Sequence, residues 1–211
     1  MEFFLVNVVY SYRMKTIWQE HKPRIIDLDK NKKSSVFIPL IKKEDGYHVL
    51  FEIRSANIRQ PGDVSFPGGK MEKGEKPIDT AIRETMEELR IRREQIEVFG
   101  QADTYVTGKN RIIYAFVGEI KEPIDPNEEV ESVFTVPLHH LMEVHPEIYI
   151  STMVEKPADD FPYDRIQNGK EYHWMKEKKE VLFYTYKNYT IWGITAKILQ
   201  AFLEVMKEEN K

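Results

Sequence analysis

Between Phe66 and Ile91 the chain passes from a Pro-Gly-Gly turn into a helix carrying three glutamates on one face, and no other segment restricts its fold as much. Pro77 suits a first helical turn. Ile78, Ala81, Ile82, Thr85 and Leu89 recur at helical spacing, which predicts a helix over residues 77–90 with one apolar face. At roughly 100° per residue, Glu84, Glu87 and Glu88 share an arc of about 100°, and the apolar face is placed on the other side. Like charges at this spacing repel by a few tenths of a kcal/mol. They also stand near the negative end of the helix dipole, where acids are disfavoured. Local stability therefore gives no reason for the cluster, whereas a hard cation such as Mg²⁺ or Mn²⁺ does. The plain alternative is a solvated acidic face. The turn before the helix weighs against it, because Phe66-Pro67-Gly68-Gly69 lets backbone approach a metal or a phosphate closely. Arg83 and Glu75 are opposite charges able to tie the turn to the helix.

Around this segment the sequence predicts strands over Ser35–Ile41, His48–Arg54, Val64–Phe66, Ile96–Val106, Arg111–Glu119 and Glu131–Val136. A short helix is expected over Leu138–Val144, a loop over 154–170, and a late hairpin from Glu171–Trp174 and Val181–Tyr186. A second long helix is expected over Ile191–Met206, with Ile191, Ile194, Ile198, Phe202 and Val205 on one face. Strands mixed with helices indicate the α/β class. Residues 1–33 read as an N-terminal extension, with Lys30–Lys33 a charged loop and Met14 an alternative start, and 34–207 as a single domain.

The 211 residues suffice for one domain with a real core. A net charge of −4 gives no support for nucleic-acid binding. With no cysteine, disulfides, thiolate catalysis and Cys-based zinc sites are excluded, and a reducing cytoplasm is the expected compartment. No apolar run is long enough to span a bilayer, so no membrane partner is expected.

The segment from Gly69 resembles the Nudix box: Gly69, Glu75, Arg83, Glu84, Glu87, Glu88 and Ile91 match, while Thr85 stands where the pattern has an aliphatic residue and Arg90 where it has glycine. The resemblance implies a Nudix α/β/α sandwich with a mixed sheet. It implies that the Gly69 carbonyl with Glu84, Glu87 and Glu88 holds Mg²⁺ or Mn²⁺, and that Arg83 and Glu75 orient the loop and helix. Upstream, Leu50-Phe51-Glu52-Ile53-Arg54-Ser55, Arg59, Gly62 and Phe66–Gly69 are similar to the extended motif of the coenzyme A diphosphatases of that family, with one residue fewer between Arg59 and Gly62. Ile191–Ala196 is similar to the start of their C-terminal helix. The implied reaction is metal-dependent cleavage of coenzyme A, or a derivative, to 3′,5′-ADP and 4′-phosphopantetheine. Arg54, Arg59 and Gly68 are expected to bind substrate phosphates, the arginines through forked hydrogen bonds. Alternatives are a Nudix hydrolase of ADP-ribose or a dinucleoside polyphosphate, and a nucleotide-binding module that does not cut. A homodimer is compatible with either.

Three weaker signals complete the reading. Glu128 or Glu129 is a candidate extra ligand or base, with a solvated loop the preferred reading. His139 and His140 lack ligand spacing. Tyr184, Tyr186, Tyr189 and Trp192 could stack on adenine, although core packing fits their spacing better.

Overall fold

The computed structural model describes Lys22, residues 28–108 and residues 110–208. The chain divides into two units, residues 1–31 and 32–211. The described part of the first contains a single 3₁₀ turn, Leu28–Lys30. Met14 lies outside the described residues. No helix among the described residues is long and apolar enough to cross a membrane.

The second unit is built on a mixed sheet of eight strands. Its centre is β1 (Lys32–Lys43), lying parallel to β7 (Arg111–Ile120) over nine residue pairs from Lys32↔Arg111 to Leu40↔Glu119. β2 (Gly46–Arg54) turns back antiparallel on β1, and β8 (Val130–Pro137) covers its far side. β5 (Ile96–Gln101) and β6 (Tyr105–Thr107) pair with β7. β1 and β2 pair only near their turn, Leu40–Lys43 with Gly46–Val49, and then splay. Into the fork between them fits the strip 64–70. β3 (Val64–Ser65) bonds to β2 at Glu52 and Ile53, and β4 (Gly68–Lys70) bonds to β1 at Ser34–Val36.

Strand alternation sorts the core onto two faces. Phe37 and Ile41 of β1, Leu50 of β2, and Phe116 and Ile120 of β7 face helix α1 (Pro77–Leu89), where Ala81 and Leu89 meet them. Ile38, Leu40, Val49, Phe51, Ile113 and Ala115 face the other way, onto α2 (Leu138–Glu143), α3 (Gly193–Glu208) and part of a second sheet. Helices therefore cover both faces of a mixed sheet, and the α/β/α sandwich expected from the sequence is what forms.

The second sheet has the order β11-β10-β9: β9 (Glu147–Val154), β10 (Lys176–Tyr186) and β11 (Tyr189–Trp192). Here the structure departs from expectation. Glu171–Trp174 is not a strand, and the partner of Val181–Tyr186 is β9 on one side and β11 on the other. β9 is exposed on both faces except at Met153, so its apolar residues give no alternation to read. β10 opens with Lys-Glu-Lys-Lys-Glu, a run that hides a strand behind charge. The last helix starts at Gly193 instead of Ile191, because Tyr189–Trp192 is held by β10 and Gly193 turns at φ +64°. Two smaller departures have the same origin in pairing. Lys32 and Lys33 join β1 because β7 offers them partners, and Gly68–Lys70 is a strand instead of a loop because β1 does. The stretch Ile96–Val106 breaks at 102–104 into two strands.

Candidate active site

The helix α1 ends at Leu89, one residue earlier than expected, with Arg90 left-handed at φ 48°, ψ 43°. Glycine takes this conformation freely and arginine at a cost of about 1 kcal/mol. The Arg90 guanidinium meets Glu128 at 3.1 Å and Asp125 at 3.8 Å. Thr85, the other departure from the box pattern, is fully buried and its hydroxyl donates to the Ala81 carbonyl at 2.7 Å. A hydroxyl is thus accommodated on the apolar face at no unsatisfied polar cost.

The three glutamates do not form one solvated face. Glu87 points outward and meets Arg83 at 3.3 Å. Glu88 is 5% exposed. It stands only about 20° around the helix from Ala81, so it borders the apolar face instead of opposing it. One of its oxygens, Oε2, accepts the Gly68 N–H at 2.8 Å. Burial pushes the Glu88 carboxyl well above the usual carboxylate range, and the nearby Glu52 carboxyl adds to the rise. Glu84 is also pushed up by burial, against the opposing pull of Arg83, whose Nη1 lies 2.8 Å from Glu84 Oε1. The Glu84 carboxylate rests on Gly69 so closely that a methyl group there would overlap it, at 2.3–2.5 Å.

Arg83 is fully occupied within this region. Its Nε and Nη2 take the two oxygens of Glu75 at 3.0 and 3.2 Å, and Nη2 also reaches the Lys70 carbonyl at 3.5 Å. Glu75 in turn accepts the Glu72 N–H at 2.9 Å. The forked arginine contact, then the Glu72 amide, hold its carboxyl at about 2. The tie between Arg83 and Glu75 expected from the sequence is present.

Glu52 is the residue that sequence reading missed. It is 1% exposed, on the same strand face as Leu50 and so toward α1. Its Oε1 accepts the Ser65 hydroxyl at 2.9 Å, and burial drives its carboxyl upward. The available signal was a lone acid at an inward position of the strand, two residues after Leu50.

Arg54 follows at the end of β2. Its Nε donates to the Arg59 carbonyl at 3.0 Å. Its backbone closes the base of loop 55–63 through Arg54 N–H to Asp63 O at 3.0 Å and Gly62 N–H to Arg54 O at 2.8 Å. The Arg59 side chain is exposed at the loop tip. Arg54 also lowers the cost of charge on Glu52 and Glu88, which puts a cation beside the buried acids. Glu128 is turned away onto Arg90, whereas the charge of Glu129 is felt by Glu52 and Glu84. His139 is exposed, and His140 tilts against Tyr186 at 5.1 Å. Tyr184 is buried in the core, Tyr189 stacks on Phe134 at 3.8 Å, and Trp192 stacks on Phe183 at 5.7 Å.

As they lie, no three His, Asp or Glu side chains among the described residues are gathered into a metal cage. Glu84 is drawn to Arg83 and Glu88 to the Gly68 amide. The donor set nonetheless fits a hard cation: all oxygen, crowded with acids, and including a buried carboxylate oxygen, Glu52 Oε2, that no hydrogen bond satisfies.

Comparison with known proteins agrees with this arrangement. A family model described as the NUDIX domain matches residues 31–152. The peroxisomal coenzyme A diphosphatase NUDT7 of Mus musculus is 31% identical over 187 residues, covering 84% of this chain and 72% of that protein. The mitochondrial coenzyme A diphosphatase NUDT8 of Homo sapiens is 27% identical over 183 residues, covering 82% and 69% respectively. A MutT/nudix family protein from Enterococcus faecalis, at 16% identity, shares the fold with a TM-score of 0.50 over 93% of this chain and 69% of that one. The box residues, the sandwich that carries them and these matches agree: the chain belongs to the Nudix hydrolase family.

Proposed function

We propose that this hydrolase cleaves the diphosphate of coenzyme A or a derivative to 3′,5′-ADP and 4′-phosphopantetheine, with Mg²⁺ or Mn²⁺ as cofactor. The observation that carries the reading is the apposition of two opposite fields at one end of β2: the buried acids Glu52 and Glu88, and the cationic loop opened by Arg54. A diphosphate that needs both metal and arginine matches that pairing. The likeness to two proteins named as coenzyme A diphosphatases supports the choice of substrate.

In this reading Glu84, Glu87, Glu88 and the Gly69 carbonyl hold the metal. When bound, the metal supplies charge neutralisation at the diphosphate and an activated water. The chain's own residues do the rest. Arg54 and Arg59 engage phosphate oxygens, and the Gly68–Gly69 backbone lets phosphate approach. Arg83, saturated by Glu75, Glu84, Glu87 and Lys70, positions the acids and does not touch substrate. The cytoplasm is proposed as the compartment, and a small-molecule nucleotide as the substrate partner.

The test is product analysis after incubation with coenzyme A, ADP-ribose and diadenosine polyphosphates, with Mg²⁺ or Mn²⁺ and with EDTA. The expected outcome is 3′,5′-ADP and 4′-phosphopantetheine from coenzyme A alone, and only with metal. Cleavage of another compound instead would remove the substrate assignment. Binding without cleavage would turn the site into a nucleotide sensor.

A further inference from the structure

Among the described residues, two buried side-chain atoms lack a hydrogen-bond partner, Glu52 Oε2 and Ser55 Oγ. Glu52 lies near the end of β2 and Ser55 is the first residue after it, beside the fork that carries the Pro-Gly-Gly strip. Buried polar atoms in folded proteins are nearly always satisfied, so such a pair asks for a reason.

Glu52 is the more demanding of the two. A glutamine there would fill the same space and could still bond Ser65, without bringing a carboxylate into the interior. The nearest cation by sequence, Arg54, is turned to the Arg59 carbonyl and gives Oε2 no hydrogen bond. Glu52 is also tied into the loop that touches Glu88. Its Oε1 accepts the hydroxyl of Ser65, and three residues on the Gly68 N–H donates to Glu88 Oε2. The strip 65–68 thus holds one oxygen of each acid, and the second oxygen of Glu52 stays unpaired within a 1%-exposed side chain on the face toward α1.

We propose that Glu52 is a further metal-binding residue: its free Oε2 is a ligand oxygen for the divalent cation that Glu88 binds. This rests on the metal-dependent reading above and extends it to an acid outside the helix. The cation would satisfy the orphan oxygen and offset two buried like charges at once. Ser65 would be the positioning residue that orients Glu52, as hydrogen-bonded partners orient metal ligands elsewhere.

The experiment is Mn²⁺ titration of the full chain, followed by calorimetry and by the electron paramagnetic resonance signal of free Mn²⁺, on wild type, Glu52→Gln and Ser65→Ala. Circular dichroism checks the fold of each. The expected result is tight binding by wild type and loss of the tightest Mn²⁺, or at least about tenfold weaker binding, in Glu52→Gln. Equal affinity and stoichiometry in wild type and a folded Glu52→Gln would overturn the proposal while leaving the box assignment standing. No Mn²⁺ binding by wild type would overturn both. Should Glu52→Gln fail to fold, Ser65→Ala decides, since it keeps every acid. Several-fold weaker binding supports the role of Glu52, and unchanged binding overturns it.

Discussion

Helix α1 joins two acidic regions that share a sequence motif and differ in physics. On the outer side Glu75, Arg83 and Glu87 form a partly exposed brace, and the arginine holds the Glu75 carboxyl far below its ordinary range. On the inner side Glu88 and Glu52 are buried together and both are pushed above it. The brace stabilises the fold by itself. The inner pair costs stability unless protons or a cation relieve it. A run of identical glutamates is therefore not one feature, and what separates Glu88 from its neighbour Glu87 is the turn of about 100° that brings Glu88 beside Ala81.

Glu88→Gln gives the largest expected effect on this contrast. Turnover should fall by roughly a hundredfold or more, with the circular dichroism spectrum unchanged. Full activity with ordinary metal dependence would end the assignment of Glu88 as a ligand. Next come the two adjacent glycines, which separate fold from site. An added Cβ at Gly68 meets the Ser35 carbonyl at 2.4 Å and Val36 Cα at 2.7 Å, with φ at +155°. Gly68→Ala should cost about 3 kcal/mol in chemical denaturation. At Gly69 the three atoms nearest an added Cβ all belong to the Glu84 carboxylate, so Gly69→Ala should spare stability and lose activity; equal destabilisation by both would erase the distinction.

A pH series on metal-free protein addresses the inner and outer regions with opposite sign. Glu75, depressed to about 2 from an ordinary 4.5, contributes stability that is present above pH 4.5 and is lost as pH falls toward 2. Glu52 and Glu88 are raised, so their contribution favours the fold at low pH and is lost as pH rises through 4.5 toward neutrality and beyond. Melting temperatures of Glu75→Gln should flatten the acid limb, and those of Glu52→Gln the neutral limb, with a gain of about 1 kcal/mol at pH 8 in the second case. If both substitutions altered the same limb, the division would be wrong. Arg90→Gly should have the smallest effect, a stabilisation of about 0.5–1 kcal/mol. A loss of stability would mean that the contacts to Asp125 and Glu128 outweigh the left-handed backbone.

What could be read in the sequence was what is periodic or locally bonded. The helix, the Arg83–Glu75 tie and the strand pair 35–41 and 48–54 follow from spacing and turn chemistry within a few residues. What escaped depends on distant partners. Gly68–Lys70 is a strand only because β1 splays from β2, and β9 only because β10 lies beside it. Glu52 reads as an ordinary strand acid until the helix is seen to cover it. The inward face of Glu88 needed only a closer reading of the helical wheel.

The fork between β1 and β2 bears on how such a chain can change. The strip 64–70 is stitched on both sides by main-chain bonds, to β2 at one end and to β1 at the other, and Pro67 O also takes the Phe37 N–H at 2.8 Å. Adding or deleting one residue there would shift both registers at once. Loop 55–63 bulges out from a base closed by Arg54 and can lengthen or shorten without touching either register. Evolution, and a designer altering the chain, would accordingly find length variation admissible in that loop and forbidden in the strip that begins directly after it, so that what the loop recognises can change beside a floor that stays fixed.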